Sequence, residues 1–203
     1  AHIAVQKKDM ELLQFFESLP HFDFDLEDVD GETPLFKAIA KSQFEMVKFL
    51  VAKGARLTHT SIKNQWNPVY IAACLGSLET LKYLLSFGLD PNQQTGLKRT
   101  ALTKACWLGR VDSVKVLLSH PDIKIDHKAN GQRTALHMAC WGKFGGRYGK
   151  KMGTNPRDSP ECAELLLQAG ADPDARDDKG KTPLIVAAQT GAKDSIRVLL
   201  DHG

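Results

Sequence analysis

Apolar residues recur along this chain in stripes at helical spacing. They are Met46-Val47-Phe49-Leu50, Leu81-Tyr83-Leu84-Leu85, Val114-Val116-Leu117-Leu118, Leu165-Leu166-Leu167 and Ile196-Val198-Leu199-Leu200. Each stripe predicts an amphipathic helix with one buried face. A shorter segment rich in small residues precedes each one: Ala38, Ala72-Ala73, Ala105-Cys106, Ala139-Cys140 and Ala187-Ala188. These segments predict a second kind of helix, one that neighbours approach closely. Gly or a polar residue separates the two helices at Ser42, Gly76, Gly109 and Gly191. Gly54, Gly88, Gly170 and Gly203 follow the apolar helices, as left-handed terminating residues would.

The starts of the small-residue helices share a register. Thr33-Pro34-Leu35, Asn67-Pro68-Val69, Thr100-Ala101-Leu102, Thr134-Ala135-Leu136 and Thr182-Pro183-Leu184 begin at 33, 67, 100, 134 and 182. The spacings are 34, 33, 34 and then 48. A fixed period of this length marks a repeat array. Thr is placed to cap each first helix, and Pro takes the first helical position, where no N–H is needed. Ala101 and Ala135 replace Pro, and Asn67 replaces Thr, so weaker capping is expected in those repeats. Counting back from Thr33 puts Ala1–Val5 in a first helix and Met10–Leu19 in a second. The chain thus starts inside a repeat and ends just after an apolar helix, and we expect a fragment of a longer protein.

This combination of a Thr-Pro-Leu-like start, Ala-Ala, Gly, Leu-Leu and Gly-Ala-Asp resembles the ankyrin repeat family over essentially the whole chain. Only His137 keeps the family's histidine three residues after Thr. The resemblance implies an all-α ankyrin-repeat solenoid of stacked helix-turn-helix units with finger loops. It is expected to form a single domain over 1–203. A partial repeat covers 1–29, and full repeats run over approximately 30–63, 64–96, 97–130, 131–178 and 179–203.

The long spacing places an insertion at 144–160 in the fourth repeat. Its Gly, Pro and charged residues predict a surface loop. It reads either as a tolerated insertion, since loop-closure entropy grows slowly with length, or as a basic docking loop. The docking residues would be Lys143, Arg147, Lys150, Lys151 and Arg157. It is no phosphate-binding loop: Gly145 to Gly149 is too short, and neither Ser nor Thr follows Lys150. Ser159-Pro160 offers a weak kinase motif.

Composition is that of a folded protein, and no apolar run approaches the ~18 residues needed to span a bilayer. Net charge is +3, unevenly spread. Residues 9–32 carry nine acids and no Lys or Arg, whereas 33–160 carry twenty basic against seven acidic residues. The cysteines follow the repeat and suggest packing in a reducing compartment, hence an intracellular protein, cytoplasmic or nuclear. No catalytic motif is present, His59, His120 and His127 lie in loops without carboxylate pairing, and neither metal nor cofactor is expected.

The family register then points to binding. The residue before each capping position lies on the finger: Glu32, Trp66, Arg99, Arg133 and Lys181. The seventh residue after it lies on the first helix and faces the concave side: Ala40, Cys74, Trp107, Trp141 and Gln189. Trp66, Arg99, Trp107, Arg133 and Trp141 are therefore expected in one groove across repeats two to four, with Lys104 nearby and Lys181 beyond. Trp and Arg are enriched at binding hot spots. The expected function is a non-enzymatic interaction scaffold. Its protein partner would present an acidic, phosphorylated or aromatic-anchored segment, and the scaffold itself is expected to be a monomer. Nucleic-acid binding through the basic, tryptophan-lined groove is the alternative. A third is a regulatory or substrate-recruiting arm of a larger enzyme.

Overall fold

The computed structural model describes residues 1–61, 65–141 and 158–202, and among them every regular element is a helix. By proximity along the backbone the chain divides into two compact units, 1–90 and 91–203.

Residues 1–90 hold α1 (His2–Lys7), α2 (Met10–Glu17), α3 (Pro34–Ala40), α4 (Phe44–Ala52), α5 (Pro68–Leu75) and α6 (Leu78–Ser86). The first helices α1, α3 and α5 pack in sequence, and α4 packs on α6. Ala38, Ala72 and Ala73 are fully buried, so small side chains allow the first layer to close up. Leu35, Ile39, Met46, Val47, Leu50, Leu81 and Leu84 fill the space between layers.

Residues 91–203 hold α7 (Ala101–Trp107), α8 (Val111–Leu118), α9 (Ala135–Ala139), α10 (Pro160–Gln168), α11 (Pro183–Thr190) and α12 (Lys193–Asp201). Here α7, α9 and α11 form one layer and α8, α10 and α12 the other. Ala105, Cys106, Ala139, Cys140 and Ala187 are fully buried in the first layer, and Val114, Leu117, Cys162 and Leu166 in the second. Cys106 and Cys140 thus serve as small apolar groups, as their register predicts.

At Asn67 and Thr100 the expected weaker capping is not found. Asn67 Oδ1 accepts from the Tyr70 N–H at 2.8 Å. Thr100 accepts from the Thr103 N–H at 3.3 Å, and Thr103 Oγ1 returns the bond to the Thr100 N–H at 3.0 Å. The Thr134 N–H donates to His137 Nδ1 at 3.3 Å in the same arrangement. In both repeats without Pro, the polar side chain at the third helical position accepts from the N–H of the capping residue.

Two local features depart from the sequence expectation. The first helix of the fourth repeat stops at Ala139, so Trp141 lies beyond its end rather than on it. The cause is visible: the Ala139 carbonyl accepts from the N–H of Ser159, on the returning chain, at 3.2 Å. Ser159 itself is only 4% exposed, which withdraws the kinase motif from the surface. Its hydroxyl approaches Gly109, where a Cβ would sit 2.7 Å from Oγ and where φ is +64°. Only glycine meets both demands. Next to it, the Asp158 carboxylate accepts from the N–H groups of Asp194 and Ser195 and from the Ser195 hydroxyl. It thereby caps α12, which has no capping side chain of its own.

Candidate functional site

Each finger closes with a backbone hydrogen bond to the carbonyl of the residue before the cap. Thr95 N–H donates to Arg99 at 2.9 Å, Ala129 to Arg133 at 2.9 Å and Asp177 to Lys181 at 3.0 Å. In residues 1–90, Asp28 donates to Glu32 at 3.1 Å, while Ser61 donates to Trp66 at 3.0 Å across one more residue. The turn sets the backbone direction at the finger residue, and in 91–203 that residue reaches the side chain eight positions on. Arg99 lies 5.7 Å from the centre of the Trp107 ring, and Arg133 lies 4.4 Å from that of Trp141. Lys181 Nζ donates to Gln189 Oε1 at 2.6 Å. The same contact between a finger and the side chain eight positions on thus recurs three times, twice as guanidinium on indole and once as ammonium on amide. Such cation–π contacts contribute about 0.5–1 kcal/mol at exposed sites and more when desolvated.

Lys104 is only 4% exposed, with Nζ 3.6 Å from the Trp107 ring centre. It supports the indole from within and offers no surface to a partner. Trp66 belongs to residues 1–90, where its ring lies 5.9 Å from that of Tyr70. The insertion residues Lys143, Arg147, Lys150, Lys151 and Arg157 lie outside the described residues.

Two residues join this site that sequence reasoning did not single out for it. Asp177 has a side chain only 1% exposed, and its Oδ2 lies 3.7 Å from Arg133 Nε. Oδ1 accepts from the N–H groups of Lys179 and Lys181, each at 2.9 Å. Burial works to raise its pKa, but those N–H groups and Arg133 outweigh it, and the carboxyl is held below its usual range. A signal did exist. Asp28 stands four residues before its own finger residue, as Asp177 does, and Asp28 Oδ1 accepts from Asp30 and Glu32 N–H at 3.0 Å each. An acid at that position is a finger-turn residue.

His137 is the second. Its Nε2 lies 2.9 Å from the Lys181 carbonyl, tying α9 to the next finger. Nδ1 accepts from the Thr134 N–H, so the donor to Lys181 is Nε2–H and the ring is neutral. Burial lowers its pKa, partly opposed by the Lys181 carbonyl. His2, in the matching register, makes the same bond to the Glu32 carbonyl at 2.8 Å. His59 corrects the expectation of loop histidines without carboxylates: Nδ1 lies 3.6 Å from Glu27, and Nε2 contacts the Gly31 carbonyl at 2.8 Å. It is buried in a finger turn, a structural place. Among the described residues no group of three or more His, Cys, Asp or Glu is arranged to hold a metal. No helix among them is long and apolar enough to cross a membrane.

Comparison with known proteins agrees with this architecture. The family signature described as ankyrin repeats (3 copies) matches residues 1–95, 87–147 and 154–203. The ankyrin repeat protein YahD of Escherichia coli (strain K12) is 28% identical, covering 99% of this chain and 94% of that protein. An ankyrin repeat and KH domain-containing protein of Caenorhabditis briggsae is 32% identical over 84% of this chain, but only 6% of its own length is matched. The crystal structure of an ankyrin repeat domain from Acinetobacter baumannii AYE superposes with a TM-score of 0.82 at 28% identity, covering 100% of this chain and 96% of that one. The finger turns, the two helical layers and these matches together mean that the chain belongs to the ankyrin repeat family, whose repeats are generally protein-interaction modules.

Proposed function

We propose that residues 91–203 bind a partner protein through the face built from the fingers and first-layer segments, centred on Arg99, Trp107, Arg133 and Trp141, with Lys181 at its edge. One observation carries this reading: the recurring contact from each finger to the residue eight positions on holds two half-buried tryptophans against arginines in successive repeats. Fixed aromatic and guanidinium groups lose little conformational entropy when a partner covers them.

The test is affinity capture with the purified protein, alongside Trp107→Ala and Trp141→Ala, with bound proteins identified by mass spectrometry. A partner retained by the wild type and lost with both variants supports the face. Equal recovery by all three would place binding elsewhere. Labelled single-stranded RNA at two salt concentrations runs beside it. Tight, steeply salt-dependent binding lost in the same variants would favour nucleic acid over protein.

A further inference from the structure

Arg99 and Arg133 occupy one register and contact one kind of side chain, but their charges are not equivalent. Arg133 is neutralised by Asp177, whose carboxylate is buried beside it. Among the described residues no carboxylate lies within ion-pair distance of Arg99, whose guanidinium meets only the Trp107 ring. Segments 62–64 and 142–157 contain no Asp or Glu, so their side chains supply no counter-charge either. The faces of Trp107 and Trp141 that these cations cover are closed to a cationic side chain. A guanidinium without a carboxylate partner presents a planar fork that matches one carboxylate through two N–H···O bonds.

Resting on the binding face described above, we propose that the partner segment is acidic and that a Glu or Asp carboxylate of it docks on the Arg99 guanidinium beside Trp107. Arg133 stays committed to Asp177 and takes no part in recognising the anion. The partner carries carboxylate rather than phosphate because one uncompensated guanidinium balances one negative charge, whereas a phosphoryl dianion calls for a second open cation, which the Arg133–Asp177 pair withholds.

The inference is tested by selecting dodecapeptides from a random display library on the intact protein. The wild type should enrich Asp and Glu over the unselected library. Arg99→Ala should lose that enrichment and bind the best wild-type peptide about tenfold or more weakly. Arg99→Glu should enrich Lys and Arg instead. Asp177→Asn, which frees Arg133, should strengthen the acidic preference. Circular dichroism melts establish that each variant is folded. Peptides recovered without acidic enrichment, or an acidic preference that survives Arg99→Glu, would overturn the inference and leave the binding face standing. Preference for phosphopeptides over Glu-substituted counterparts would overturn the choice of carboxylate. Recovery of no peptide would remove the binding face itself, and this inference with it.

Discussion

Replacing Arg133 with Ala tests the physical account of the fingers most directly. In the intact structure the Asp177 side chain is 1% exposed and its Oδ2 has no hydrogen-bond partner, and the substitution removes the guanidinium 3.7 Å from it. At 3.7 Å, and with an effective dielectric constant of about 20, the Coulomb attraction is about 4 kcal/mol. That is an upper bound, because Arg133 is itself 26% exposed and water screens part of it. The two N–H bonds to Oδ1 persist and keep Asp177 ionised, so the loss is not the full cost of an isolated buried charge. Losing the stack on Trp141 adds about 0.5–1 kcal/mol. The expected destabilisation is about 2–3 kcal/mol, a fall in Tm of about 5–10 °C for a chain of this size. Urea denaturation of the wild type, Arg133→Ala, Asp177→Asn and the double variant measures the coupling as a cycle. Arg133→Ala should cost much less in the Asp177→Asn background. A loss under about 0.5 kcal/mol, or the same loss in both backgrounds, would refute the claim that Arg133 serves Asp177.

Three further outcomes follow from the same geometry. His137 is neutral in the fold with a lowered pKa, so the unfolded chain takes up its proton first as pH falls below about 6.5, and stability falls with it, by at most ~1.4 kcal/mol per pH unit. That loss levels off once pH passes the folded pKa, and the acid limb should flatten in His137→Gln when urea midpoints are compared from pH 7.5 to 5. Gly109→Ala should cost about 1 kcal/mol or more, since φ is +64° and the new Cβ would meet Ser159 Oγ at 2.7 Å; Ser159→Gly in the same chain should restore part of it, as read by thermal melts. Burial pushes the Cys140 thiol up to about 12, and Cys106 and Cys162 are also buried, so iodoacetamide at pH 8 should label Cys74 well before the other three, as peptide mass spectrometry would show.

The sequence alone determined the register. Its period, the capping residues at 33, 67, 100, 134 and 182, and the apolar stripes are local properties, and helices and their starts are set by neighbours within a few residues. It also named Arg99, Trp107, Arg133, Trp141 and Lys181, because a repeat carries each position onto the next. Tertiary structure decided what those side chains do. Asp177 lies 44 residues after Arg133, and nothing local couples them. The end of α9 depends on Ser159, which returns from beyond an insertion to take the Ala139 carbonyl. Burial turned Lys104 from a surface contact into a support for Trp107. The inequality of Arg99 and Arg133 comes from the same source: a charge is neutralised by what lies within a few ångströms of it, and spacing along the chain does not report that distance.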